Sequence, residues 1–315
     1  MAKVAVVGAG LIGRAWAISF ARAGHEVALM DSDAAAVGGA LAFIDGALQD
    51  LQRYDLLGGA GPAEVRRRIH AAAGLEDALA GASHVQENAP ERIEVKRALY
   101  ADLDRIAEPA AVLASSTSAL LPSAFTRQLP GRGRCLVAHP INPPYLVPSV
   151  ELVPAPWTEP AVLTRTAEFL RAAGQALVVM TREIDGFVVN RLQGALLQEA
   201  FRLVADGYAS CEDVDIALRE GLALRWSFMG PFETIDLNAP GGVRDYIQRY
   251  SGLYDGLFET QRRRAEWTGP VMDEIEHQRR RRLREEELGP RHAWRDRRLM
   301  ALAAHKRAAA KDIGV

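Results

Sequence analysis

The stretch Lys3-Val-Ala-Val-Val-Gly8-Ala-Gly10-Leu-Ile-Gly13 decides the fold of the N-terminal part of this chain. Residues 3 to 7 form a short apolar run that ends at a glycine, which is typical of a buried strand. Residues 11 to 23 place apolar side chains at helical spacing, and residues 26 to 30 read as a second strand. The order strand, glycine turn, helix, strand predicts a parallel βαβ unit.

The glycine turn predicts a dinucleotide site of the Rossmann type. Glycines in the pattern G-x-G-x-x-G between a strand and a helix allow a tight turn, close approach of a ligand, and close packing of the helix on the strand. A pyrophosphate would lie at the helix N-terminus, where unpaired amides and the helix dipole favour an anion. We therefore expect Gly8, Gly10, Leu11, Ile12 and Gly13 to contact the cofactor.

Asp31 ends the second strand, where an acidic residue can accept hydrogen bonds from the adenosine ribose. Its carboxylate would repel a ribose 2′-phosphate, and Ser32 and Asp33 offer no compensating positive charge. NAD is therefore expected rather than NADP. A helix cap is the alternative interpretation of Asp31, and it is compatible with the ribose role.

Further along the chain, short strands continue to alternate with helical stretches up to Asp185-Gly186, and only helical periods follow. The predicted fold class is α/β, with a doubly wound Rossmann domain over residues 1–185 and an all-helical domain over residues 186–315. Gly186 is the candidate hinge. The predicted later strands are 84–88, 112–115, 135–138 and 177–179, and the predicted helices are 33–57, 62–73, 188–205, 212–220, 242–250, 270–287 and 294–309.

Composition narrows the class of protein. The chain has 315 residues, 49% hydrophobic and 25% charged, with a formal net charge of -2, so nothing in the overall charge favours nucleic acid or a membrane surface. Arg279 to Arg282 are followed by Glu285 to Glu287, as on a solvated helix. Two cysteines, Cys135 and Cys211, have no metal-type spacing. With no secretory signal and no long apolar run apparent, we expect a cytoplasmic protein without a metal site.

A candidate acid/base pair is formed by His139 and Glu151. A histidine that ends a buried strand is more often a hydrogen-bonded core residue than a catalyst. A glutamate among valine and leucine, however, needs a partner, and an imidazolium would supply one. The prolines between the two residues form a rigid turn that can return Glu151 beside His139.

The order and spacing of these motifs resemble the 3-hydroxyacyl-CoA dehydrogenase superfamily. The resemblance rests on the glycine turn, Ser115-Ser-Thr-Ser118, His139-Pro-x-Asn-Pro, Glu151 and Asp185-Gly-Phe-x-x-Asn190-Arg. Within the superfamily, the lambda-crystallin and L-gulonate 3-dehydrogenase branch is similar along nearly the whole chain, through HPINPPYLVPSVELVP, EIDGFVVNRLQ, GLALRWSFMGPFETIDLNAPGG and WRDRRLMALAAHK.

That resemblance implies a role for each site residue. His139 would be the general base, Glu151 its charge-balancing partner, and Ser118 and Asn190 the groups that place the substrate oxygen. On the cofactor side, the resemblance implies contacts from Glu91, Lys96, Ser118 and Asn142. A homodimer formed through the helical domain is also implied.

Two features bear on the substrate. Arg225, in an otherwise apolar stretch, suggests capture of a carboxylate, although it could also be a surface arginine that covers Trp226. Residues 33–57 contain four aspartates and one basic residue, Arg53. In acyl-CoA relatives this segment approaches the CoA nucleotide, which an acidic version would disfavour.

These features favour a free 3-hydroxy acid, with L-gulonate ranked first, a 3-hydroxyacyl-CoA second and carnitine third. For carnitine, Tyr145 and Trp226 could surround the trimethylammonium group. Two alternatives without catalysis stay open, a crystallin-like structural protein and an NAD-binding module. An intact His139 and Glu151 argue against both.

Overall fold

The computed structural model describes residues 1–314 and contains one eight-stranded sheet, in the order β3-β2-β1-β4-β5-β6-β7-β8. All neighbouring strands run parallel except β6 and β7, which are antiparallel. The strands are β1 Lys3–Val7, β2 Glu26–Met30, β3 Ile69–Ala71, β4 His84–Glu87, β5 Val112–Ser115, β6 Cys135–Pro140, β7 Ser149–Pro154 and β8 Ala176–Val179.

Helices cover both faces of this sheet. Alternate residues of β1 belong to different core clusters: Val4 and Val6 pack in one cluster, and Ala5 and Val7 pack in the other. This explains why β1 is continuously apolar. The helices around the sheet are α1 Leu11–Arg22, α2 Ala34–Arg53, α3 Pro62–Arg67, α4 Leu75–Leu79, α5 Ile93–Ile106, α6 Pro122–Thr126 and α7 Pro160–Ala172.

Two strands differ from the prediction. β3 lies inside residues 62–73, which were expected to be entirely helical, because a three-residue strand after an arginine-rich helix leaves no visible alternation. No strand was predicted at β7, where the sequence indicated only a turn that brings Glu151 beside His139. The structure instead has a strand there, paired antiparallel with β6.

Helices alone follow Phe187 in the described chain, as predicted, so the fold class of a doubly wound sheet followed by a helical region is confirmed. A single π-helical segment, Ala217–Leu222, interrupts the α-helices. These helices are α8 Val189–Ala205, α9 Cys211–Ile216, α10 Ala223–Trp226, α11 Pro231–Leu237, α12 Gly242–Gln261, α13 Pro270–Arg282 and α14 Leu288–Ile313.

The chain forms two compact units. The first unit contains Met1–Val189 together with Asp296–His305, and the second contains Asn190–Arg295 and Lys306–Val315. The predicted division at residues 185 and 186 assigned the whole C-terminal helix to the second domain. Met300, which is 2% exposed, belongs instead to a core cluster of the first unit. Arg297 pairs with Asp50 of α2 at 3.2 Å.

Helix α2 also reaches the length and apolar character, with a mean hydropathy of 1.2, that a membrane-spanning helix would need. Core helices of α/β domains pass the same test. The side chains of Ile44, Leu48 and Leu51 are buried in a core cluster of the first unit, which accounts for part of the apolar character of α2.

Candidate active site

The glycine turn is held by close backbone contacts. Gly8 has a φ of 98°, and a Cβ added there would lie 2.8 Å from the carbonyl group of Asn88. A Cβ on Gly13 would lie 1.7 Å from the carbonyl oxygen of Gly8. These two glycines are therefore required by packing between strand, turn and helix.

Gly10 differs from its neighbours, because a Cβ there would meet nothing within 4 Å. It is the N-cap residue of α1 and, having no side chain, makes no side-chain capping hydrogen bond. The first turn of α1 also contains no acidic side chain. This is the arrangement that a pyrophosphate needs, so the turn fits a dinucleotide.

Asp31 lies beside this turn. Its Oδ2 accepts a hydrogen bond from the Ala9 amide at 2.7 Å, and its Oδ1 accepts from the Asp33 amide at 3.0 Å. The cap of α2 is Asp33, whose Oδ1 accepts from Ala35 at 2.9 Å. Asp31 therefore holds the glycine turn and does not cap the helix, and its predicted contact with the ribose stays a prediction.

His139 and Glu151 face each other across the antiparallel strands β6 and β7, where they are register partners. His139 Nδ1 lies 2.8 Å from Glu151 Oε2, and the two residues are 4% and 0% exposed. The other oxygen, Oε1, accepts from the amides of Val188 at 2.7 Å and Val189 at 2.9 Å. One carboxylate thus binds the imidazole and the start of α8 together.

The ionisation of Glu151 follows from these contacts. Burial alone would raise the pKa of its carboxyl group, but the hydrogen bonds from His139, Val189 and Val188 outweigh burial and lower the pKa below its usual value. The carboxylate is therefore ionised near neutral pH. Because a carboxylate only accepts, Nδ1 of neutral His139 carries the hydrogen and Nε2 is left as an acceptor.

Phe187 packs against His139 and was not identified from the sequence. Its side chain is 0% exposed, its ring centroid lies 5.5 Å from that of His139, and its φ is 51°. A left-handed conformation is uncommon for an aromatic residue and is maintained only by surrounding packing. Gly186, the predicted hinge, has a φ of 76°.

Glu91 orders the loop that carries Ser118. Its Oε1 accepts from the Thr117 hydroxyl and from the amides of Ser118 at 3.1 Å and Ala119 at 3.0 Å. Ser118 itself is exposed. The structure therefore brings together two residues that the resemblance assigned to the cofactor site.

Lys96 forms a buried ion pair with Glu87, a residue that the sequence analysis did not identify. Its Nζ lies 2.9 and 3.0 Å from the two oxygens of Glu87, while the side chains are 1% and 0% exposed. The Ser115 hydroxyl also donates to Glu87, at 2.6 Å. The sequence feature that could have identified Glu87 is its position at the end of the buried strand β4, where a carboxylate needs a partner. The predicted cofactor contact of Lys96 stays a prediction.

The other predicted residues lie in different elements. Asn142 is exposed in the turn between β6 and β7, and its bond to Pro143 is cis. Asn190 follows Val189 in α8, and Arg225 lies in α10 of the second unit with its Nη1 3.4 Å from Asn238 Oδ1. Their predicted roles rest on the resemblance.

Comparison with known proteins agrees with this geometry. Residues 3–184 match the family model of the 3-hydroxyacyl-CoA dehydrogenase NAD binding domain, and residues 186–282 match that of the C-terminal domain. These matches confirm the predicted family and NAD as the cofactor.

Individual relatives extend the match. The chain is 44% identical to a lambda-crystallin homolog of Bos taurus, over 96% of this chain and 95% of that protein. It is 38% identical to L-carnitine dehydrogenase of Streptomyces griseus, over 79% of this chain and 73% of that protein. The solved structure of 5-formyl-3-hydroxy-2-methylpyridine 4-carboxylic acid 5-dehydrogenase, an NAD+-dependent dismutase, superposes with a TM-score of 0.81 at 25% identity, covering 96% of this chain and 97% of that one. The chain belongs to the 3-hydroxyacyl-CoA dehydrogenase family.

Proposed function

We propose that this protein oxidises the 3-hydroxyl group of a free 3-hydroxy acid, with L-gulonate as the first candidate and 3-dehydro-L-gulonate as the product. The observation that carries the proposal is the buried pair of His139 and Glu151, joined at 2.8 Å. A structural protein or a simple NAD-binding module would have no use for such a pair.

In the proposed reaction, Nε2 of His139 accepts the proton of the substrate hydroxyl. Glu151 holds the imidazole through Nδ1 and stabilises the positive charge that forms on it. The glycine turn of Gly8, Gly10 and Gly13 would hold NAD, and the chemistry that NAD would supply there is acceptance of the hydride from the substrate carbon. Ser118 and Asn190 are proposed to hold the substrate oxygen, and the same His139 would return the proton in the reverse direction.

The acidic residues of α2 disfavour a CoA thioester less in the structure than the sequence predicts. Asp45 pairs with Arg66 at 2.9 Å, and Asp50 pairs with Arg53 at 2.9 Å and with Arg297 at 3.2 Å. Much of the negative charge of α2 is therefore balanced within the chain. The preference for a free acid rests on Arg225, which could bind a carboxylate through two hydrogen bonds.

Carnitine, ranked third from the sequence, is supported by the similarity to L-carnitine dehydrogenase. Recognition of its trimethylammonium group calls for accessible aromatic faces. Tyr145 is only 3% exposed and its hydroxyl donates to Asp296 at 3.3 Å, which leaves Trp226, at 39% exposed, as the more accessible of the two aromatics. L-gulonate therefore stays ahead of carnitine.

A substrate screen tests the proposal. NADH formation would be followed at 340 nm as the purified protein is given NAD with L-gulonate, 3-hydroxybutyrate, L-carnitine or 3-hydroxybutyryl-CoA. We expect the largest kcat/KM with L-gulonate. A larger value with any of the other three substrates would reject L-gulonate as the preferred substrate, and no turnover with any of the four would favour the non-catalytic alternatives.

We also propose a homodimer formed through the second unit. Its helices leave many large apolar side chains exposed, which a monomer seldom does. Examples are Leu192 (66%), Phe228 (73%), Phe232 (80%), Leu237 (69%) and Leu253 (60%). Sedimentation velocity at micromolar concentration should give a dimer near twice the 34.3 kDa chain mass, and a monomer would refute the proposal.

A further inference from the structure

Ser116 is the centre of a half-buried hydrogen-bond network that the proposed reaction does not use. Its hydroxyl oxygen accepts from Trp16 Nε1 at 3.0 Å and from Gln86 Nε2 at 2.7 Å, and the hydroxyl donates to Asn88 Oδ1 at 2.8 Å. Trp16 and Gln86 are 0% exposed. One hydroxyl group thus satisfies three polar side chains from α1, β4 and the loop after β4.

One branch of the network reaches the glycine turn. Asn88 donates to the carbonyl oxygen of Val7 from its amide at 2.7 Å and from Nδ2 at 3.3 Å. The carbonyl group of Asn88 is also the surface against which Gly8 packs, since a Cβ on Gly8 would lie 2.8 Å from it. The position of Asn88 therefore determines where the glycine turn can lie.

A second branch reaches the strand that carries His139. Gln86 Nε2 also lies 3.3 Å from the carbonyl oxygen of Ala138, which directly precedes His139 in β6. Ser116 itself directly follows β5, two residues before Ser118. The network thus connects the backbone of the cofactor turn with the backbone beside the proposed base.

We propose that Ser116 is a positioning residue, whose hydroxyl sets the location of the NAD-binding turn relative to the strand end that carries His139. Its contacts are with side chains that hold these two backbones, so it acts through Asn88 and Gln86. The expected effect on catalysis rests on the proposed role of His139. The expected effect on NAD binding is independent of that role.

The chemistry of the network explains why loss of this hydroxyl should matter. Without it, Trp16 Nε1, Gln86 Nε2 and Asn88 Oδ1 lose a common partner, and buried groups left without partners rearrange or are destabilised. Any rearrangement of Asn88 moves the surface that packs on Gly8. A change in cofactor affinity should therefore accompany the change in stability.

The test measures NADH dissociation constants by fluorescence titration for Ser116→Ala, Trp16→Phe and the double variant. Each single variant should weaken NADH binding by about 10-fold, the effect of one net hydrogen bond, and the double variant should bind little worse than Ser116→Ala. Ser116→Thr keeps the hydroxyl and should recover most of the affinity. With L-gulonate, kcat should also fall in Ser116→Ala.

A matched control separates positioning from general loss of stability. Thr166, in α7, is 1% exposed and donates to the Val162 carbonyl oxygen at 2.7 Å, so Thr166→Val removes a buried hydroxyl elsewhere in the same unit. It should lower the melting temperature and leave NADH affinity within twofold. Equal losses of affinity in Thr166→Val and Ser116→Ala would overturn the proposal.

The positioning role of Ser116 would also be overturned if folded Trp16→Phe bound NADH within twofold of the affinity of the unmodified protein. This variant keeps the ring stacked on Phe20, with centroids 5.0 Å apart, and provides the test if Ser116→Ala does not fold. Absence of L-gulonate turnover in the unmodified protein would reject the proposed substrate alone, because NADH titration needs no hydroxy acid.

Discussion

At the scale of single residues, Glu151 connects the imidazole of His139 to the first amides of α8. Both of its oxygens must accept hydrogen bonds, one from His139 and the other from Val188 and Val189. A glutamine could accept on only one side, because its amide nitrogen would face a donor on the other.

Glu151→Gln should therefore lower kcat about 100-fold and destabilise the protein by about 1 to 3 kcal/mol, the cost of an unsatisfied buried donor. Steady-state kinetics at pH 7 and urea denaturation would measure the two effects. A variant whose kcat stays within threefold of the original would contradict the orienting role of this carboxylate.

His84 makes the first unit sensitive to acid. Burial lowers its pKa to about 4, partly opposed by the hydrogen bond that His84 Nε2 donates to Gln86 Oε1. The ring packs against Phe20 and Phe169, with His25 nearby. In the folded protein His84 therefore stays neutral at a pH where the unfolded chain, with a usual value of 6.5, already binds a proton.

The free energy of unfolding should accordingly decrease as pH falls from about 6.5 to about 4, with a contribution from His84 of about 3 kcal/mol once both pH values are passed. Urea denaturation across this range would measure it. His84→Leu should flatten the dependence, whereas His70→Gln, which replaces an exposed histidine, should not. An unchanged dependence in His84→Leu would contradict the assignment.

At the scale of elements, the glycine turn and α1 offer a matched pair of substitutions. Gly13→Ala places a methyl group 1.7 Å from a carbonyl oxygen, whereas Gly10→Ala places one in open space. The first change should destabilise the fold, and the second should leave the melting temperature nearly unchanged because the φ of Gly10 is -64°.

Gly10→Ala should still weaken NADH binding by about 10-fold or more, because its methyl group occupies space that the cofactor needs. Thermal denaturation and fluorescence titration on both variants would show the contrast. Unchanged NADH affinity in Gly10→Ala would place the cofactor elsewhere.

The same elements show how far sequence reasoning extends. β1, α1 and β2 were predictable because each shows its own periodicity and a glycine marks the turn between them. His139 and Glu151 were paired by the need of a buried carboxylate for a partner. Trp16 and Ser116 are 100 residues apart, so no local pattern indicates their contact. Glu87 and Lys96 are near in sequence but belong to different elements, β4 and α5, and no strand or helix period pairs residues across such a boundary.

At the scale of the whole molecule, the last helix returns to the first unit. Asp296 accepts from the Tyr145 hydroxyl at 3.3 Å, and Met300 is buried in the core cluster that includes α1 and α2. This return was not predicted, since helical periodicity does not reveal which core a helix joins. Residues 296–305, which lie beyond the regions that match the family models, therefore belong to the same unit as the NAD-binding domain.

Met300→Ala should lower the free energy of unfolding by about 3 kcal/mol through lost burial and the cavity left behind. Arg298→Ala, an exposed neighbour on the same helix, should change it by less than about 0.5 kcal/mol. Equilibrium denaturation of both variants would measure the difference, and equal effects would show that Met300 does not anchor this segment.

The proposed function depends on His139 as the base of an NAD-dependent oxidation. Its most direct test is kcat for NADH formation by His139→Gln, together with the NADH dissociation constant. We expect kcat to fall by about 100-fold to 10,000-fold while NADH affinity stays within about twofold, because the imidazole accepts the proton but does not hold the cofactor. A variant that retains full kcat would contradict the account.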